Sequence, residues 1–137
     1  MITLVRQRPD PIPAIPPLPE YLAEGALKDK YEDMKAAMQV PWMGVVTMAY
    51  AHYPTFFDVL WEGTRELTRS APYVEASRQI RGLAEDGVAK LSPPPIAERL
   101  EAMGYASREL DGIRAMIEVF SHGNNAYYPM VTVARLL

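Results

Sequence analysis

FSHGNNAYYP, residues 120 to 129, gathers an imidazole (His122), two carboxamides (Asn124 and Asn125) and two phenols (Tyr127 and Tyr128) within ten positions. An imidazole titrates near neutrality and can take a proton from a water or from a carbon acid. A carboxamide offers a donor and an acceptor side by side, enough to hold a water or a carbonyl. These groups sit in a segment whose apolar spacing is helical, yet Gly123 and Pro129 are helix breakers. The expectation is that the helix is interrupted at Gly123 and Asn124, turning polar groups toward a cavity. The plainer alternative is that His122, Asn124 and Asn125 satisfy backbone groups freed by Pro129. His52 and Asp58 are further candidate bases, the first at the end of an apolar segment, the second on a polar helix face.

The composition narrows the chemistry. The chain has 137 residues, 49% hydrophobic and 23% charged, which suits one soluble domain with a core of its own. A net charge of −3 argues against general affinity for nucleic acid. The absence of cysteine excludes disulfides, thiolate metal sites and dithiol redox chemistry. His52 and His122 form no HExxH-type pair, and neither a metal nor a cofactor is implied. The N-terminal MITLVRQRPDPIPAIPPLPEY lacks the apolar run of a secretory signal, and no apolar run reaches membrane-spanning length. A cytoplasmic protein without membrane or nucleic-acid partners is expected.

The elements that must position these groups read as helices throughout. Residues 8 to 19 hold Pro9, Pro11, Pro13, Pro16, Pro17 and Pro19, so residues 1–19 form an extended proline-rich arm on the surface of the domain or of a neighbour. Residues 20–137 form an all-α domain of six or seven helices. Leu27, Tyr31, Met34 and Met38 fall on one helical stripe. WMGVVTMAYAHY, after Pro41, is nearly all apolar and predicts a buried helix. Pro54 suits the first turn of the next, where Phe57, Leu60, Trp61, Thr64 and Leu67 face inward. Val74, Ile80, Leu83, Val88 and Leu91 form the apolar side of another, closed by SPPP at 92 to 95. Ile96, Leu100 and Met103 make a short helix ending at Gly104. Ser107 is expected to cap the last one, with Ile113, Met116, Ile117 and Phe120 inward. Met43, Met48, Met116 and Met130 are core or cavity lining. The apolar end, Leu136-Leu137, calls for a surface to lie on, and a partner subunit would offer one.

KYEDMKAAMQVPWMG, YAHYPTFFDVLW and PPPIAERLEAMGYASRELDGIRAMIEVFSHGNNAYYPMVTV, in that order, resemble the N-terminal half of the group I (DL-) 2-haloacid dehalogenases. A looser likeness extends to the alkylhydroperoxidase-D-like all-α superfamily, whose cysteine pair is missing here. The resemblance implies one of two diverged helical repeats, with the active site between repeats. A single-repeat chain would then recover that arrangement as a homodimer with twofold symmetry. In the family an aspartate activates a water that displaces halide with inversion. By resemblance, Trp42 is a substrate-pocket tryptophan and Asn124 holds the attacking water. Val45 stands where the family has a pocket phenylalanine. The catalytic aspartate belongs to the second repeat, and Val46 occupies its equivalent position here. Tyr50, two turns beyond Trp42, and Phe120 are expected to line the same pocket. His122 is the candidate to replace the aspartate as base.

Two classes of function follow. One is an enzyme acting on a small organic molecule, such as a carboxylic acid, between subunits. It is either a hydrolytic 2-haloacid dehalogenase with a relocated base, or an isomerase, lyase or cyclase moving a proton beside a carbonyl. The other is a non-catalytic small-molecule-binding dimer, or one half of a heteromer whose partner supplies the aspartate.

Overall fold

A computed structural model describes residues 15–136. A 3-10 turn at Glu20–Leu22 precedes six helices: α1 (Gly25–Met38), α2 (Val45–Tyr50), α3 (Pro54–Thr68), α4 (Ala71–Ala89), α5 (Ile96–Ala102) and α6 (Ser107–Ala134). No strand occurs among the described residues, so the domain is all-α as expected. Residues 1–14 of the proline-rich arm and Leu137 lie outside the described residues. The rest of the arm lies on its own domain. Prolines 16, 17 and 19 have no N–H to give, and Leu18 donates the one available to the Met48 carbonyl at 3.1 Å. Tyr31 donates its hydroxyl to the Leu18 carbonyl at 3.0 Å. His52 Nε2 lies 2.6 Å from the Pro16 carbonyl, so its imidazole holds this strap.

The core sits where α1, α3 and α6 meet. Tyr31, Met34 and Met38 are buried on the expected stripe, together with Phe57 and Trp61 from α3 and Met130 from α6. Each such side chain contributes about 1.5–3 kcal/mol through burial. The α3 stripe ends on the buried Thr68 rather than on Leu67, which is 42% exposed. Asp33 ties α1 to α3. It accepts from the indole of Trp61 at 2.9 Å, from Arg65 at 2.6 and 2.9 Å, and from Arg69 at 3.2 Å. The Arg65 bond, outweighing the opposing desolvation, holds the Asp33 carboxyl down at about 2. A depressed carboxyl stabilises the fold above its unfolded value and loses that contribution as pH falls. The Asp33 contribution is therefore complete above the ordinary value of 3.8 and fades toward pH 2. Asp33→Ala, which also strands the Trp61 N–H, should cost about 1–2 kcal/mol in urea unfolding at pH 7, and less at pH 2.5.

Three expectations are corrected. WMGVVTMAYAHY is not one buried helix. Residues 40–44 form a loop, α2 has only six residues, and Val45 and Val46 at its start are exposed. Ser107 is the first residue of α6, and Ala106 is its cap, with the Glu109 carboxylate accepting from the Ala106 N–H at 2.8 Å. Most consequentially, α6 runs unbroken through Gly123, Asn124 and Pro129. Helix propensity is a weak prior that packing overrides. Here the buried Ala126, Tyr127 and Met130 carry the helix past the proline.

From Val74 to His122, Leu110 alone is buried. Leu83, Val88, Leu91, Ile96, Met103, Met116, Ile117 and Phe120, expected to face inward, are exposed in the single chain. Packed α4 and α6 therefore offer apolar side chains that the other described residues leave uncovered.

Candidate functional site

Trp42 stands in the loop between α1 and α2, and its surroundings are fixed from three sides. Gln39 takes the left-handed conformation (φ 55°) that ends α1. Tyr127, on α6, donates its hydroxyl to the Trp42 carbonyl at 2.8 Å. Glu20 accepts from the Met43 N–H at 2.6 Å. Burial pushes the Tyr127 phenol well above its ordinary range, so it remains a neutral donor. Gly44 lets this ring come close, since a β-carbon there would lie 3.2 Å from it.

The indole of Trp42 lies against α6. Its ring centroid is 4.7 Å from that of Phe120, at 40°. A β-carbon at Gly123 would fall 2.5 Å from the indole Cζ2, so the glycine is the notch that admits the tryptophan. That explains the glycine within a helix: it serves side-chain packing and does not break the helix.

An open cavity of about 810 Å³ lies beyond, lined by Trp42, Val45, Val46, Phe120, Asn124 and Tyr128 among others. Phe120, Asn124, Tyr127 and Val131 recur at helical spacing on one side of α6. The Asn124 side chain is exposed in this cavity. Of the sequence-derived site residues, the structure thus brings together Trp42, Val45, Val46, Phe120 and Asn124.

Four others go elsewhere. His122 lines a separate cleft of about 570 Å³, and its Nε2 lies 3.2 Å from the Met38 carbonyl at the end of α1. On an unbroken helix two residues lie about 200° apart, so His122 and Asn124 point opposite ways. Tyr50 packs on Phe56 and Phe57, with centroids at 5.1 and 6.0 Å, and is absent from the cavity lining. Asn125 donates to the Ser121 carbonyl at 2.8 Å, within its own helix. Asp58 pairs with Lys30 on the surface.

Sequence reasoning missed Glu20, the only carboxylate on the cavity wall among the described residues. Both its oxygens are engaged, Oε1 by Met43 and Oε2 by the Lys35 ammonium at 2.7 Å. Burial raises its pKa, but the Lys35 and Met43 bonds together more than offset that, leaving it below the ordinary value. Glu20 is therefore an ionised anchor and a poor base. Among the described residues, no cluster of three His, Cys, Asp or Glu could hold a metal ion. No described helix is long and apolar enough to cross a membrane.

No family model matches the chain. It is 46% identical, over its whole length, to 54% of an (R)-2-haloacid dehalogenase of Rhizobium sp. (strain NHG3). It is 34% identical, over 88% of its length, to 40% of an (R)-2-haloacid dehalogenase of Pseudomonas putida. A configuration-inverting 2-haloacid dehalogenase of Alcaligenes xylosoxydans xylosoxydans is 25% identical over 85% of the chain and 39% of the relative. The crystal structure of a D-2-haloacid dehalogenase mutant superposes with a TM-score of 0.79 at 35% identity, over 92% of this chain and 44% of that one. A complex of D-2-haloacid dehalogenase with L-LA gives 0.77 at 34% identity, over the same shares. The chain spans about half the length of the curated relatives it matches. In sequence and in fold it resembles one helical repeat of the 2-haloacid dehalogenase family.

Proposed function

We propose that this chain forms the substrate-holding half of a hydrolytic 2-haloacid dehalogenase site, closed by a second helical half. The carrying observation is the open cavity that joins Trp42 and Asn124 and whose single carboxylate among the described residues, Glu20, is already paired with Lys35. His122 faces the other side of α6, Glu20 is held ionised by Lys35 and the Met43 N–H, and by resemblance Val46 stands where the water-activating aspartate would be. That leaves the proton-transfer alternative without a base on this wall. Trp42 and Phe120 would pack against the carbon chain and halogen, and Asn124 would hold the water. Among the described residues no lysine or arginine lines the cavity, so on this side the carboxylate would be met by amide donors.

When the chain is alone, a second copy is the proposed cover, standing in for the aspartate-bearing half. Val45, Val46, Phe120 and Tyr128 around the cavity are exposed, as are Val74, Leu83, Val88, Met116 and Ile117 on α4 and α6, and exposed apolar side chains of this kind suit an interface. Such a homodimer would hold a small acid without hydrolysing it, whereas an aspartate-bearing half would complete the reaction. Purified chain should behave as a dimer in sedimentation and bind 2-chloropropionate by calorimetry. Asn124→Ala should weaken that binding about tenfold, roughly 1.4 kcal/mol. A monomer that ignores the acid would sink the proposal.

A further inference from the structure

We infer that Glu20 is a positioning residue for this site, setting where Trp42 stands; the inference rests on the reading of Trp42 and Asn124 as the substrate-holding wall. Glu20 lies in the 3-10 turn just after Pro19, and Trp42 is 22 residues further along the chain. One carboxylate joins three elements. It anchors the strap, it accepts from Lys35 in the last turn of α1, and it accepts from the backbone of Met43 in the loop that carries Trp42. Met43 is itself buried, so its N–H has few other partners once the carboxylate is removed. Lys35 is held in turn by Glu32 at 2.9 Å, and so remains a fixed point against which Glu20 is braced.

The other hold on Trp42, the Tyr127 hydroxyl on its carbonyl, comes from α6. Two tethers from two directions define the loop, and with only one the peptide can pivot. Losing Glu20 would therefore let the indole leave the Gly123 notch while the core under it stays packed. Glutamine at this position keeps an oxygen for the Met43 N–H and gives up the Lys35 ion pair and hydrogen bond, since its amide nitrogen is a donor.

The test uses the chain with Trp61→Phe, so that Trp42 alone fluoresces. Glu20→Ala should shift Trp42 emission to the red and raise its acrylamide quenching about twofold, while Glu20→Gln should stay close to the parent. Affinity for 2-chloropropionate should fall about tenfold in the alanine variant and recover in the glutamine one. Unchanged emission and quenching in Glu20→Ala, with thermal unfolding still cooperative, would overturn the positioning role. If the parent itself does not bind the acid, the substrate reading fails, and the emission and quenching of Trp42 still decide the role of Glu20. Loss of cooperative unfolding in Glu20→Ala would assign it to the fold instead and also overturn the proposal.

Discussion

Gly123→Ala is expected to lower affinity for 2-chloropropionate by about tenfold or more without loss of folding. The new methyl would lie 2.5, 2.9 and 3.3 Å from three carbons of the Trp42 indole, closer than side chains pack. The Trp42 backbone cannot retreat easily, because Tyr127 and Glu20 hold the loop. The ring must instead rotate away from Phe120 into the cavity, and overpacking of this kind costs about 1–3 kcal/mol. Alanine meanwhile favours the helix over glycine by about 1 kcal/mol. Global stability should thus change little while the site closes. Gly112→Ala on the same helix is the control: its β-carbon would meet nothing within 4 Å, so binding should be unaffected and stability slightly raised. Equal behaviour of the two variants in calorimetry would refute the notch.

Val46→Asp is expected to produce halide release from 2-chloropropionate where the parent chain releases none. Val46 lies in the first turn of α2, is 47% exposed and lines the cavity. A carboxylate fits there without burial cost, and the first turn of a helix favours negative charge. In a dimer, each copy would bring the new base to a cavity whose partner wall carries Trp42 and Asn124. The base must be ionised, so the rate should rise with pH through the carboxylate range and then level off. Water attack at the halogen-bearing carbon would give the hydroxy acid of opposite configuration, readable by chiral chromatography. A variant that dimerises and binds the acid, yet releases no halide at any pH, would refute this placement of the base.

Some of the molecule was legible in residue order. Tyr31, Met34 and Met38 had to share a face because helical spacing puts them there, and Pro54 suited the first turn of α3. Trp42 and Asn124 were paired by resemblance, and the structure places them on one cavity. Even the separation of His122 from Asn124 was implicit. Residues two positions apart on a continuous helix face opposite ways, and only the assumption of a break at Gly123 hid it.

The sequence by itself determined the all-α class and the buried face of α1, because both depend on neighbours within a few residues. Tertiary structure decided the rest. Whether Gly123 broke the helix or made room depended on Trp42, which lies 81 positions earlier in the chain. Whether Glu20 was surface charge or an anchor depended on Lys35 and the Met43 N–H meeting it. Contacts between elements distant in the chain leave no periodic trace in it, so only packing could reveal them.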